Sequence, residues 1–142
     1  MRRVRICIYG GTDLQGTPTS FVSALAFKIL DSMPAVIVSG GFRHSNKRPT
    51  AISNDVAALR DAQRYAAERG VDLKECYEAW IPEPALDSRP DVRGAVRMSE
   101  AGGINVCVMA GQTPLVRRLA MVAGVDVVVT ISGRRHTEVV VE

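Results

Sequence analysis

Ala35-Val36-Ile37-Val38-Ser39-Gly40-Gly41 is an unbroken apolar run stopped by a serine and two glycines. A short run that is apolar at every position suits a strand covered on both faces, as the strands of a parallel sheet are. The residues before it support that reading. Phe21, Val22, Leu25, Ile29 and Leu30 recur at helical spacing, with Thr17 placed to cap the helix, Pro18 as its first residue and Pro34 closing it after Ser32. Further back, Arg3-Val4-Arg5-Ile6-Cys7-Ile8-Tyr9 reads as a strand that stops at Gly10-Gly11.

The alternation continues downstream. Residues 42–53 form a polar, basic loop. Asn54-Asp55 can cap a second helix whose apolar stripe is Val56, Leu59, Ala62, Tyr65 and Ala66, with Gly70 ending it. Residues 75–81 read as a third strand, broken by Pro82 and Pro84. Residues 83–103 are loop-like, with a short helix over 92–98, and residues 104–109 are apolar and extended. Pro114 starts another helix with Leu115, Leu119 and Val122 on one face, and residues 126–131 form a buried strand ending at Ser132-Gly133. Strands alternating with helices predict a mainly parallel sheet with helices on both faces, a single three-layer α/β domain of Rossmann-like type over residues 1–142. The valine-rich end, residues 137–142, fits either a hairpin strand or the start of a helix. The chain is expected to be part of a longer protein.

Composition narrows the function. The chain has 142 residues, enough for one domain with a real core, and no apolar run approaches the roughly 20 residues that span a bilayer. Its first residues lack the apolar region of a secretory leader, so a cytoplasmic location is the expectation. Cys7, Cys76 and Cys107 lie far apart, with only His44 and His136 to join them, which fits buried thiols rather than a metal site. Of the 18 basic residues 15 are arginine, and residues 1–70 carry a balance of +5 against −2 for the remainder. Guanidinium groups hold oxyanions by paired bonds, so a phosphate ligand is suggested; a codon bias toward arginine would look the same. Aromatic residues make up only 5% of the chain, too few for a base-stacking platform, and there is no polybasic tail, so nucleic acid is not an expected partner.

In an open parallel sheet, ligands sit beyond the carboxyl ends of the strands. Three strand ends here carry glycine: Gly10-Gly11-Thr12, Ser39-Gly40-Gly41 and Ser132-Gly133-Arg134. Glycine lets backbone N–H groups close on an oxyanion, and a helix start behind the turn adds a favourable dipole. Glycine also simply turns a chain, so the coincidence of three carries the point. The dinucleotide fingerprint and the P-loop are both absent, which disfavours a conventional dehydrogenase or NTPase. Arg117-Arg118 precede the last strand and Arg134-Arg135 follow it; either pair can clamp phosphate or face solvent. Asp13 can bond a ribose or cap its turn. His136 and His44 read as surface histidines, and Tyr77 and Trp80 as core.

The pattern of Gly-Gly after the first strand, Ser-Gly-Gly after the second, and Arg117-Arg118-x-x-Met121 before Val-Asp-Val-Val-Val resembles the SLOG superfamily. That group includes the LOG-type phosphoribohydrolases, the fold of DNA-processing protein A, and nucleotide-sensing domains of bacterial defence proteins and some cation channels. In the LOG enzymes a second motif reads Pro-Gly-Gly-x-Gly-Thr-x-x-Glu. Here Gly133 and Thr137 match it, Ser132 replaces proline, Arg134 and His136 replace glycines, and Val140 stands where the catalytic glutamate would be. Cleaving an N-glycosidic bond needs a carboxylate near the anomeric carbon, and valine supplies none. The resemblance therefore implies a domain nearer the sensors than the enzymes. Its ligand would be a nucleotide-derived sugar phosphate or ADP-ribose-like molecule, held by Gly10, Gly11, Thr12, Ser39, Gly40, Gly41, Arg117, Arg118, Gly133, Arg134 and Thr137, with no cofactor or metal. It implies a homo-oligomer and a fused effector domain as partners. The competing reading is a phosphoribohydrolase or deoxyribosyltransferase-like enzyme, in which Glu138 or Glu142 would act.

Overall fold

A computed structural model describes residues 2–10, 17–40, 53–82, 103–109 and 114–131. Five strands are present in them: β1 (Val4–Gly10), β2 (Ala35–Ser39), β3 (Tyr77–Pro82), β4 (Asn105–Met109) and β5 (Val127–Ile131). The helices are α1 (Thr17–Ser32), α2 (Asn54–Arg69) and α3 (Pro114–Ala123), with one 3-10 turn over Leu73–Glu75. The strands form one sheet in the order β4-β3-β2-β1-β5, and every pairing is parallel. The α/β alternation predicted from the sequence is thus the architecture observed.

Strand parity sorts the core into two layers. Ile6, Ile8, Ala35, Ile37, Tyr77, Ala79, Ile81 and Ile131 face one side, where they pack with Val22, Ala26 and Leu30 of α1 and Ala57, Ala58 and Ala62 of α2. Cys7 and Val38 face the other side and pack with Met121 of α3, flanked by Tyr9, Trp80, Val125 and Val128. Helices α1 and α2 therefore share one face and α3 covers the opposite one, which makes three layers. β2 lies inside the sheet between β1 and β3, and four of its five residues are buried, so its apolar run is explained by cover on both faces.

The helix faces differ from their predicted stripes. On α2 the buried positions are Asn54, Ala57, Ala58, Asp61, Ala62 and Ala66, while Val56, Leu59 and Tyr65 are only half-buried. On α1, Phe21 is 53% exposed and Val22, Ala26 and Leu30 form the inner line. The reason is size. The buried lines of the two helices carry Ala26, Ala57, Ala58 and Ala62 in the core beside the strand residues, while the larger Phe27 of α1 and Tyr65 of α2 meet edge to face beside them, with ring centroids 5.6 Å apart. Asp61 fits there because it accepts the Phe27 N–H (2.5 Å) of α1 and pairs with Arg64 (2.7 Å). The cap of α2 is also one residue earlier than expected. Ser53 Oγ accepts the Val56 N–H at 3.1 Å, which leaves Asn54 to enter the core. Gly70 ends the helix as predicted, at φ 65°.

Among the described side chains of α3 the buried one is Met121, and Leu119, expected on the inner face with Leu115 and Val122, is 45% exposed. A Cβ on Gly124 would lie 2.7 Å from Cη2 of Trp80, so the indole occupies the space beside the end of the helix. Gly124→Ala is expected to displace that ring at a cost of about 1–3 kcal/mol. Trp80 is the sole tryptophan. The variant should therefore shift the protein's fluorescence emission, and an unchanged spectrum would refute the contact.

The amino end of the sheet is laced by charge. Asp126 accepts from the Arg5 N–H (2.9 Å) and from Arg2 (2.6 Å), while its own N–H donates to Arg5 O (2.9 Å). It stands just before β5, and these bonds latch the start of that strand against β1. Nearby, Arg3 pairs with Glu75, Arg5 with Glu78 (3.6 Å) and Lys74 with Asp72 (3.2 Å). Asp72 also accepts the Lys74 N–H at the head of the 3-10 turn, and these bonds hold its carboxyl below the usual range.

Candidate functional site

Each helix follows one strand and returns the chain to start the next parallel strand. The amino termini of α1, α2 and α3 consequently stand at the carboxyl edge of the sheet. Strand order sets where that edge can open. The chain steps outward from β1 through β2 and β3 to β4, then comes back to lay β5 on the far side of β1. The reversal falls between β1 and β5, and crevices form outside the carboxyl ends of strands at such a point. Gly10 and Ile131 are register partners there.

Gly10 is glycine for a reason the structure makes plain. A Cβ on it would lie 1.9 Å from the carbonyl oxygen of Ile131. The backbones of β1 and β5 close up at the rim only because that atom is missing. Gly40 follows β2, the neighbouring strand, at the same edge and is buried. Arg117 and Arg118 lie in α3, whose amino terminus faces this edge. Gly11, Thr12, Gly41, Gly133, Arg134, Thr137, Glu138 and Glu142 lie outside the described residues, as do residues 83–102 with their expected short helix and the valine-rich end at 137–142.

Ser39, expected from the sequence to face a ligand, is instead turned into the core. Its side chain is 1% exposed, and its hydroxyl shares a hydrogen bond with Tyr77 Oη. Tyr77 opens β3, but its long side chain leans along the sheet and also donates to the carbonyl of Asp55 in the first turn of α2 (3.3 Å). One phenol therefore joins the carboxyl end of β2 to the head of α2 from beneath. It is fully buried, and burial pushes its pKa far above the ordinary tyrosine range, so it acts only as a neutral hydrogen-bonding group.

Asn54 completes this layer. It is 1% exposed, and its Nδ2 donates to the carbonyl of Ile8 at 2.5 Å, tying α2 to β1 two residues before Gly10. By sequence alone it is a cap. The available signal is its place at the head of the inner line 54, 57, 58, 61, 62, where every other position but Asp61 is alanine.

The opposite end of the sheet has a cleft of about 300 Å³, lined among others by Arg3, Arg5, Lys74, Glu75, Glu78 and Asn105. Its cations already have partners: Arg2, Arg3, Arg5 and Lys74 each meet a carboxylate. An anion entering there would have to displace those carboxylates, so the cleft is a poor phosphate site. Cys76, near this end, is buried, and desolvation raises its thiol pKa, which keeps it protonated and unreactive at neutral pH. Among the described residues no cluster of histidine, cysteine and acid side chains could hold a metal, and no helix is long and apolar enough to cross a membrane. No protein-family model matches the chain, and no curated protein matches it either.

Proposed function

We propose that this chain binds a nucleotide-derived anion, a sugar phosphate or an ADP-ribose-like molecule, at the carboxyl edge of its sheet, as a sensory domain of SLOG type. The observation that carries the reading is the convergence on one edge of three helix amino termini, the close β1–β5 approach at Gly10, and Gly40 after β2. Free N–H groups at helix starts favour an anion. The paired charges of the other edge disfavour one there. The Gly-rich ends and Arg117-Arg118 described from the sequence supply the rest of the cradle. The valine at position 140 favours binding over cleavage of the N-glycosidic bond. Occupancy of the edge would then bias an oligomer or a fused effector.

The test is thermal melting with AMP, ADP-ribose and NAD, together with chromatographic assay for released base. A raised midpoint with no base released is the expected result. Base release that disappears in Glu138→Gln or Glu142→Gln would install the glycosidase reading instead, and no shift with any nucleotide would overturn both. Arg117→Ala should weaken the affinity for the nucleotide that binds by about tenfold or more, as for loss of a charge-assisted bond. The unliganded melting midpoint should not move. Unchanged affinity by calorimetry would remove Arg117 from the site.

A further inference from the structure

Asn54 Oδ1 is a buried acceptor with no hydrogen-bond partner among the described residues. The rest of the side chain is committed. Its Nδ2 is held by the Ile8 carbonyl, and turning the amide over would set two oxygens against each other. The oxygen is thus fixed in place at the head of a 16-residue helix, beside the end of β1 that leads to Gly10. A buried amide oxygen left without a donor is costly, and native structures keep few of them.

We infer that Asn54 Oδ1 reads a sugar hydroxyl of the ligand bound at the carboxyl edge, an inference that rests on the nucleotide reading above. The chemistry of the acceptor selects the group. Phosphate oxygens carry no proton to give at neutral pH, so the phosphate belongs with the backbone N–H groups and arginines. A ribose hydroxyl on the same molecule is a donor, and the ribose is the unit to which the phosphate is joined. Asn54 so divides the work of recognition: helix amides take the charge, and the asparagine takes the sugar. A site that offers a hydroxyl its buried acceptor rejects the analogue lacking that hydroxyl.

The experiment is calorimetry with AMP and ADP-ribose, each compared with its 2′-deoxy and 3′-deoxy adenosine counterparts, on the unaltered protein and on Asn54→Ala. The unaltered protein should prefer the full ribose over one deoxy form by about 10- to 100-fold. In Asn54→Ala that gap should close to within about twofold, through loss of ribonucleotide affinity. Asn54→Ser serves if the alanine variant does not fold, with the same outcome expected. Equal affinity of the unaltered protein for ribo and deoxy forms would overturn the inference and leave the nucleotide reading standing; a water trapped against Oδ1 would give that result. A preference that survives the substitution would overturn it too. If neither ribonucleotide binds the unaltered protein, the nucleotide reading itself fails and this inference falls with it.

Discussion

Gly10→Ala should destabilise the domain by about 3 kcal/mol or more, the upper end of what overpacking costs. The new methyl carbon would sit 1.9 Å from the Ile131 carbonyl oxygen and 3.0 Å from its carbon, and both are backbone atoms of a paired strand. Neither can swing aside as a side chain could. β1 and β5 would have to part at their last register pair, opening the rim where the ligand is proposed to bind. Gly70→Ala is the matched control. Gly70 sits at φ 65°, and among the described residues no atom comes within 4 Å of the place a methyl carbon would take. Its substitution should cost only about 1 kcal/mol, from backbone strain alone. Urea denaturation of the two variants separates the causes. If Gly10→Ala proves no worse than Gly70→Ala, the close approach at the rim is wrong.

Tyr77→Ala should cost about 3–5 kcal/mol, the usual range for removing a large buried ring. Against a total stability of about 5–15 kcal/mol this alone could unfold the chain at body temperature. Tyr77→Phe isolates the hydroxyl. It keeps the ring and removes the bonds to Ser39 and to Asp55 O, for an expected loss of about 1–2 kcal/mol. A pH series adds a second reading. The folded phenol keeps its proton because burial raises its pKa, whereas an unfolded tyrosine gives its proton up near pH ~10. Above that pH the unfolded state holds fewer protons, so stability falls as pH rises. The alkaline fall should be shallower in Tyr77→Phe than in the unaltered protein. Equal slopes would mean that Tyr77 is not sealed in the core.

The layout of strands and helices is legible because it is written in residue type over several consecutive positions. The run at 35–38 is apolar at every position, as suits a strand covered on both sides, and Gly70 directly follows a helical stripe. The inner faces of the helices are not legible in the same way. Periodicity weights the largest apolar residues, so it selects Phe21, Leu59 and Leu119, but the fully buried helix positions include the small Ala26, Ala57 and Ala58. The edge that could hold a ligand follows from strand polarity. The polar layer beneath it does not. Tyr77 reads as core, and it is core. Nothing local says that its hydroxyl ends up against Ser39, 38 positions earlier. Asn54 is hidden by its own chemistry, since an asparagine at a helix start is ordinarily a cap.

Among the described strands, β5 touches the sheet through β1 alone, and that seam is fastened at one end by Asp126 and at the other by the tight fit at Gly10. The fold can thus come apart along this line with all its remaining strand pairs intact. Deuterium should enter the amides of β5 ahead of those of β2, and anything that pulls on the chain beyond Ile131 would load this seam first.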